Sequence, residues 1–547
     1  MSWLPIAMLA VPLVGAAVLL LPGFAGRTPR RYGLAVSGVT LVLAVGLAAT
    51  FDYGHAARIQ FETDLSWIPG LALRFHLGVD GVSLPLIVLT ALLTFLCFVL
   101  LAGRPPRRPR ALVFTLLVLE TGMIGTFLAL DLLLFFVFFE VVLVPMYFVI
   151  AVWGGPGRRA AAVKFILYTL LGSAVMLLGL LVVWAQAGTL DMVALAHGHT
   201  IARSAQIVAF LAIGLGLAVK APMWPLHTWL PDAHTEAPTV GSVLLAGVLL
   251  KMGTYGFARI AIPILPEGAA ALAPWLGAFG VIGIVYGSLA CLAQRDLKRM
   301  IAYSSVGHMG FVLLGFATLT PVGVNAALFG NVAHGLITGL LFFIAGAVKD
   351  RYGTADMTRL GGGMLSRLPY IGSLLTFACV ASLGLPGLAG FWGEMLALFG
   401  AFRPAAELSR PLFLVFMVIG GVGTVLTAAY FLRMLSRVTH GSPVVPEGPP
   451  VTSAEEVREV LGGEGPVEPV ATGTVVAAVA AVAAPGAPGV PGLGGLGEPP
   501  ERRDVTAYEL AAWVPLVVLI LIFGLWPKAL LAITTPAVQA ILRGVGA

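Results

Sequence analysis

Long apolar stretches separated by short polar segments run through most of this chain of 547 residues. A stretch of about 17–25 apolar residues predicts a helix that crosses a membrane, because about 20 helical residues are needed to span the hydrocarbon core. We predict about 14 transmembrane helices, and hence an all-α polytopic membrane protein; the fourth and fifth spans are separated only around Asp131. The predicted spans lie near residues 3–22, 32–51, 82–102, 111–130, 132–152, 163–185, 205–224, 238–261, 272–292, 300–317, 322–347, 370–400, 411–436 and 508–534.

Proline and glycine interrupt the seventh and twelfth of these spans. The seventh contains Lys220 followed by Pro222 and Pro225, and the twelfth contains Pro386 between two glycines, ahead of Glu394. Proline removes a backbone donor and clashes with the preceding turn, and broken helices at matching places in two halves are typical of inverted-repeat transporters. We therefore predict two inverted five-helix repeats, spans 4–8 and 9–13, with helices 7 and 12 broken. Ordinary proline kinks in packed helices are the alternative.

One segment differs in composition from the rest of the chain. Residues 441–507 are rich in Pro, Gly, Ala and Val and lack helical amphipathicity, which predicts a mostly disordered insertion. The predicted organisation is then three N-terminal spans in 1–110, the two repeats in 111–261 and 272–436, the insertion in 441–507 and a final span in 508–534.

Lysine and arginine are distributed unevenly between the two predicted sides of the membrane. The loops after odd-numbered spans carry sixteen of these residues, and the loops after even-numbered spans carry six. Because cytoplasmic loops are enriched in Lys and Arg, we predict that the odd-numbered loops and the 441–507 insertion are cytoplasmic and that both termini lie outside. The odd-numbered loop at 225–237 is the exception, since it has no Lys or Arg.

Composition agrees with a membrane protein and gives no indication of bound cofactors. The chain is 59% hydrophobic and 11% charged, against about 25% charged residues in soluble domains, and its mean hydropathy is +0.98. The net charge of +6 is not read as a sign of nucleic-acid binding. Cys97, Cys291 and Cys379 occur singly in apolar stretches, which predicts core packing rather than a disulfide or an iron–sulfur centre. No dinucleotide fingerprint is present, so we expect no cofactor in this chain.

Four of the ionisable residues inside predicted spans are candidates for function: Glu140, Lys220, Lys251 and Glu394. A charged side chain costs roughly 2.5–3.5 kcal/mol at the centre of a membrane helix, so such residues usually serve a proton or ion pathway. Lysine suits a relay because, unlike arginine, it can lose its proton when buried. A static buried ion pair that fixes helix register is the alternative.

Two histidines lie between the lysines and Glu394 in the order of the spans. His308 is in span 10 and His334 is in span 11. Imidazole can accept and release a proton near neutral pH, which favours a role in the same relay. A hydrogen-bonded core histidine is the ordinary alternative.

The segment 225–238 concentrates further polar residues, namely His227, Asp232, His234 and Glu236. Their spacing matches no standard zinc pattern, and we predict no metal site there. We predict a loop that connects helices or through which protons enter, which would also account for its lack of Lys and Arg.

Three long motifs closely resemble the antiporter-like membrane subunits of proton-pumping NADH:quinone oxidoreductase, respiratory complex I. They are Ala218–Tyr255, Arg299–Gly310 and Leu385–Glu394, and the resemblance covers nearly the whole chain outside 441–507. The same family includes subunits of multisubunit cation/proton antiporters and of membrane-bound hydrogenases. A glutamate at position 394 is similar to subunit M, whereas subunits L and N usually carry lysine there.

This resemblance implies a function that composition alone does not. It implies proton export from a bacterial cytoplasm across the plasma membrane, coupled to electron transfer from NADH to quinone in partner subunits that hold NADH, FMN, iron–sulfur clusters and quinone. Subunits L and N would be the neighbours within the lipid bilayer. A subunit of a multisubunit Na⁺ or K⁺/proton antiporter is the alternative, and a purely structural subunit is the third option. The residues implied for the relay are Glu140 with Lys220 as the cytoplasmic-side pair, Lys251 as the central lysine, His308 and His334 as the connection and Glu394 at the exit.

Overall fold

Apolar helices form nearly all of the structure. The computed structural model describes residues 3–23, 28–68, 70, 73–198, 201–441 and 504–543. Within these residues, twelve helices are long and apolar enough to cross a membrane, against about 14 predicted, and shorter apolar helices occupy the predicted first and twelfth spans. The predicted insertion lies almost entirely outside the described residues, so its disorder stays a prediction.

The first eight spans correspond to nine helices, because the seventh is divided. Their bounds are α1 Trp3–Val18, α2 Thr28–Thr50, α3 Ser83–Gly103, α4 Pro109–Leu128, α5 Leu132–Trp153, α6 Arg158–Ala187, α7 Arg203–Lys220, α8 Trp229–Glu236 and α9 Thr239–Ile264. The helices that follow are α10 Pro266–Ala293, α11 Leu297–Ala317, α12 Pro321–Tyr352, α13 Pro369–Ser382, α14 Ala389–Phe402, α15 Arg410–Val438, α16 Ala507–Leu525 and α17 Lys528–Leu542.

Helices α9 and α12 lie at the centre of the bundle. Every residue in the most apolar part of α9 is buried by neighbouring helices, as is nearly all of α12. Helix α9 also contains two π-helical stretches, Leu245–Leu249 and Phe257–Ala261. The peripheral helices α2 and α15 keep large apolar side chains exposed, as a lipid-facing surface requires.

Two predictions about individual elements were wrong, and a third was confirmed. The segment 225–237 is not a loop throughout, because α8 occupies Trp229–Glu236 and forms the second half of the broken seventh span. The last span ends at Leu525 rather than 534, and α17 follows after Pro527. The break in the twelfth span is confirmed and separates α13 from α14.

An unpredicted β-hairpin joins α2 to α3. Strand β1 (Gln60–Ile68) pairs with strand β2 (Leu73–Val79) in antiparallel register. The backbone of β2 also reaches the loop after α4, since the amide of Leu130 donates to the carbonyl of His76. We call this side of the bundle the hairpin end.

The opposite end of the bundle is marked by a buried ion cluster. Glu509, at the start of α16, is fully buried between Arg104 and Arg351, and Arg104 also pairs with Asp350. We call this side the arginine end. The cluster ties the last span to the ends of α3 and α12.

The two predicted repeats carry matching backbone bridges. Asp131 pairs with Asp191 at the hairpin end, and Asp296 pairs with Asp356 at the arginine end. Both pairs lie 60 residues apart, and the second lies 165 residues after the first. In each bridge the two backbone hydrogen bonds fall at the same relative positions. An inverted repeat of spans 4–8 and 9–13 would produce this arrangement, and the bounds of the two repeats stay a prediction.

Candidate functional site

Glu140 and Lys220 lie where two helices are irregular. Glu140 precedes a discontinuity in α5, which is regular over Leu132–Val141 and again from Leu143. Lys220 is the last residue of α7, and a helix C-terminus favours a cation. Its ammonium is buried and has no hydrogen-bond partner among the described residues, but it lies 4.7 Å from the centroid of the Phe139 ring. The Glu140 carboxylate is its electrostatic partner.

Lys251 is hydrogen-bonded directly to His334. Its Nζ lies 2.6 Å from Nδ1 of His334 and also donates to the carbonyl of Ala246, within the first π-helical stretch. Lys251 is fully buried, and His334 is 6% exposed. A proton can therefore pass between ammonium and imidazole without an intervening water.

His308 continues this line to Glu394. The His308 and His334 rings are 5.7 Å apart between centroids. His308 Nδ1 lies 3.1 Å from Oε1 of Glu394, and its Nε2 lies 3.0 Å from the hydroxyl of Ser382. A partly open cavity lies among these four side chains. Most of its lining is apolar, but the four polar side chains could hydrogen-bond ordered water.

The break in the twelfth span leaves room for the Glu394 carboxylate. Gly384, between α13 and α14, has φ of +80°, and a Cβ atom built there would lie 3.1 Å from Oε2 of Glu394. The positive φ favours glycine, because other residues rarely adopt this conformation, and a larger residue would also displace the Glu394 carboxylate slightly. The predicted relay residues of spans 8, 10, 11 and 12 are thus brought together.

Close packing connects the Glu140–Lys220 pair to this line. A Cβ atom at Gly253 would lie 2.6 Å from the carbonyl oxygen of Leu217 and 3.1 Å from Cβ of Lys220. Gly253 therefore allows α9 to pass against the end of α7, two residues from Lys251.

The two carboxylates predicted at a site of proton entry are held by structural contacts. Asp232 pairs with Lys164 at 2.7 Å and with Arg299 at 3.2 Å. Glu236 accepts a hydrogen bond from the amide of Gly157 at 2.9 Å. These contacts tie α8 to α6 and α11 near the arginine end.

The two histidines of the same segment are less constrained. His227 lies in the break and packs edge-on against Tyr286, with centroids 5.0 Å apart. His234 is fully buried, stacks on Phe342 at 4.5 Å, and has no hydrogen-bond partner for either ring nitrogen among the described residues. Both Lys251 and Lys298 act electrostatically on it. His234 thus lies between the central lysine and the arginine end.

Sequence reasoning missed several buried ionisable groups. Lys298, at the start of α11, is 3% exposed and donates to the carbonyl of Ala237 at 2.7 Å. Glu120 in α4 is fully buried, with neither carboxylate oxygen paired to a described residue. Its position inside an apolar span was a sufficient signal. Asp80 and Arg259 form a third group, whose contact could not be foreseen because they lie 179 residues apart.

Comparison with known proteins identifies the family. Residues 129–427 match the family model described as NADH:quinone oxidoreductase/Mrp antiporter, TM. The chain belongs to this family. It is 41% identical to the NADH-quinone oxidoreductase subunit M of Rhodobacter capsulatus over 451 residues, covering 79% of this chain and 86% of that protein. Subunit M of Rickettsia bellii is 33% identical, covering 98% and 99%. The resemblance to subunit M is therefore confirmed.

Solved structures of family members share the fold. A chain in respiratory complex I from Thermus thermophilus with bound NADH aligns with a TM-score of 0.79 and 27% identity, covering 99% of this chain and all of that one. A chain of the Mrp complex from Dietzia aligns with a TM-score of 0.80, but at 22% identity this likeness concerns the fold alone. The broken spans and the central lysine described above therefore belong to a chain that shares both the sequence family and the fold.

Proposed function

We propose that this chain translocates protons as the M-type membrane subunit of a bacterial NADH:quinone oxidoreductase. The observation that supports this most is the line from Lys251 through His334 and His308 to Glu394, in which successive groups are in hydrogen-bond or ring contact. The relatives named subunit M support the choice of complex. NADH, FMN, iron–sulfur clusters and quinone would belong to partner subunits, with subunits L and N on either side of this chain.

Each group in the line can both accept and release a proton. The Lys251 ammonium donates to His334, and imidazole can take a proton at one nitrogen and release one from the other. Water in the cavity would bridge His334 to His308, and the Glu394 carboxylate would accept the proton before releasing it. The Lys/Arg bias favours transport from the arginine end, in the cytoplasm, towards the hairpin end.

The Glu140–Lys220 pair would couple this transfer to electron transfer elsewhere. Removing the carboxylate from the vicinity of Lys220, or neutralising it, makes the buried ammonium less favourable. The charge on Lys220 in turn alters the electrostatic potential at Lys251, because α7 and α9 are in contact at Gly253. A change at the pair therefore favours loading or unloading of the central lysine.

The antiporter alternative requires a site for an alkali cation. Hard cations are bound by several oxygen ligands, whereas the centre of this line is an ammonium hydrogen-bonded to an imidazole. The Lys251 ammonium would repel Na⁺ or K⁺, and the His334 ring supplies a nitrogen rather than an oxygen ligand. This chemistry favours proton transfer over alkali-cation binding at that point.

Replacing Glu140 tests the proposal. We expect Glu140→Gln to reduce NADH-driven acidification of membrane vesicles and coupled quinone reduction at least tenfold, because Lys220 loses its partner charge. Glu140→Asp should retain part of the activity, and Glu267→Gln, at an exposed carboxylate of α10, is the matched control. Wild-type pumping by Glu140→Gln in the assembled complex would refute the proposal. Na⁺ uptake independent of NADH would favour the antiporter instead.

A further inference from the structure

Helix α9 carries three polar side chains one turn apart on the hairpin side of its midpoint. They are Lys251, Tyr255 and Arg259, at intervals of four residues. At about 1.5 Å of rise per residue, Arg259 lies roughly 12 Å beyond Lys251 along the helix axis. The three side chains therefore lie on one face of α9 and extend from the central lysine towards the hairpin end.

The hydrogen bonds along this path run in one direction only. The Tyr255 hydroxyl donates to the carbonyl of Phe127 in α4 at 3.1 Å, and it accepts from Nε of Arg259 at 3.2 Å. Arg259 Nη1 pairs with Oδ2 of Asp80 at 2.9 Å, and the two side chains are only 11% and 4% exposed. The hydroxyl proton of Tyr255 is thus donated to a backbone oxygen, and the hydroxyl oxygen accepts from an N–H group of Arg259.

A guanidinium cannot take part in proton transfer along such a chain. A relay member must accept one proton and release another, but arginine has five N–H donors, has no acceptor and stays protonated in proteins. Its fixed positive charge also opposes the approach of a second cation, as in pores that exclude protons. Nη2 of Arg259 has no acceptor among the described residues, so Asp80 does not satisfy all of its donors.

We propose that Arg259, held by Tyr255 and Asp80, is an electrostatic plug that closes the path from Lys251 straight to the hairpin end. A proton on Lys251 then leaves only through His334. This inference rests on the proposed relay and adds a group that prevents protons from leaving Lys251 by a second route.

The other path from the central lysine has the opposite chemistry. His308 contacts Ser382 and Glu394, and a cavity adjoins them. Imidazole, hydroxyl and carboxyl groups can all accept and donate a proton. Both paths point away from the central lysine, but this one contains no guanidinium and each of its groups can exchange a proton.

Neutralising the plug should open a leak that needs no NADH. The variant is Arg259→Met combined with Asp80→Asn in the intact complex, reconstituted in liposomes with a trapped pH dye. A valinomycin-induced potassium diffusion potential drives protons inward. We expect several-fold faster proton influx than in wild type and fewer protons pumped per NADH oxidised. Adding Lys251→Met should abolish the excess influx, because the leak passes through that lysine.

Variants that keep a cation at position 259 serve as matched controls. Arg259→Lys keeps a cation beside Asp80, and Asp80→Asn keeps both the guanidinium and the Oδ1 acceptor for the Val82 and Ser83 amides at the start of α3. Both are expected to be as impermeable as wild type at neutral pH. If the double variant does not assemble, Arg259→Gln makes the same test, since its amide can still donate to Asp80.

Three results would overturn the plug. They are impermeable vesicles with the neutralised variant, a leak in Asp80→Asn, and a leak that persists when Lys251 is replaced, which would indicate loosened packing. Because the conductance is measured without NADH, it is independent of the Glu140→Gln test. Failure of one proposal is therefore distinguishable from failure of the other.

Discussion

Glu394 provides the most direct test of the relay geometry. Its Oε1 lies 3.1 Å from His308, and Oε2 has no partner among the described residues. Glu394→Gln keeps the size and a hydrogen-bonding oxygen but removes the titratable group. We expect the variant to fold and assemble, because no other ion pair in the described part of the chain depends on this carboxylate.

The magnitude follows from the distance. Unit charges 3.1 Å apart attract by about 5 kcal/mol at an effective dielectric constant of 20. Desolvation of both groups offsets part of this attraction, and about 3 kcal/mol would remain to stabilise the state in which both side chains are charged, which corresponds to a factor of about 100. A step that requires this state should slow correspondingly, so we expect pumping to fall by at least tenfold.

The assay compares four replacements in proteoliposomes by NADH-driven acidification and quinone reduction. Glu394→Gln and Glu394→Ala should lose most pumping, whereas Glu394→Asp should keep part. Glu394→Lys should also keep some, because lysine alternates between two protonation states. Wild-type pumping by Glu394→Gln would refute the reasoning. Equal losses with lysine and alanine would show that the negative charge itself is required.

Two further predictions concern stability. Burial alone would lower the pKa of His76, but its hydrogen bonds to Asp191 and Glu62 outweigh burial and raise the pKa. Burial alone would raise the pKa of Asp191, but its hydrogen bond to His76 outweighs burial and lowers the pKa. The stabilisation from His76 is lost as pH rises through its raised pKa, and the stabilisation from Asp191 is lost as pH falls through its lowered pKa. Hydrogen-exchange protection of the hairpin should therefore be greatest between pH 3.8 and pH 6.5, the ordinary pKa values of the two groups. His76→Gln should flatten this pH profile, and an unchanged profile in that variant would contradict the prediction. Glu509→Gln should destabilise docking of the last span by about 3–5 kcal/mol, seen as a lower Tm of the complex in detergent with NADH oxidation retained before heating; an unchanged Tm would show that Arg351 does not need this partner.

The hydrophobic pattern was sufficient for the helices but not for the elements between them. Pro225 and Pro231 suggested a loop, yet Pro231 falls in the first turn of α8, where proline is tolerated. The hairpin was missed because it lies in a polar segment between spans, where apolar run length carries no information. Tertiary contacts to Asp131 and Asp191, distant in sequence, hold it in place.

A site residue could be predicted when its own type and position were unusual, without knowledge of its contacts. Lys251 and Glu394 stand out because charge is rare within an apolar span. The contact between Asp80 and Arg259 was not predictable, since it joins a strand end to a span and depends on how α9 packs. His234 was recognised, but its burial against Phe342 required the helix that sequence reasoning took for a loop.

The repeat has a residue-level signal that lies in loops rather than spans. Gly188-Thr-Leu-Asp-Met and Gly353-Thr-Ala-Asp-Met have the same four residues at the same positions, and both glycines have φ of +69° at a helix end. Each Asp caps the short helix that follows. Within spans, many apolar residues satisfy the same packing, so identity between the repeats fades there.

The symmetry of these loops does not extend to the chemistry between them. Between the paired bridges the two repeats have equal length, so Glu140 corresponds to Ser305 and His308 corresponds to Leu143. The matching loops lie at opposite ends of the bundle, while the titratable groups occupy positions that do not coincide. A proton pump needs this difference between the repeats, because two equivalent half-paths that meet at Lys251 would let a proton return as easily as it leaves. The direction of transport must therefore depend on side chains that differ between the repeats.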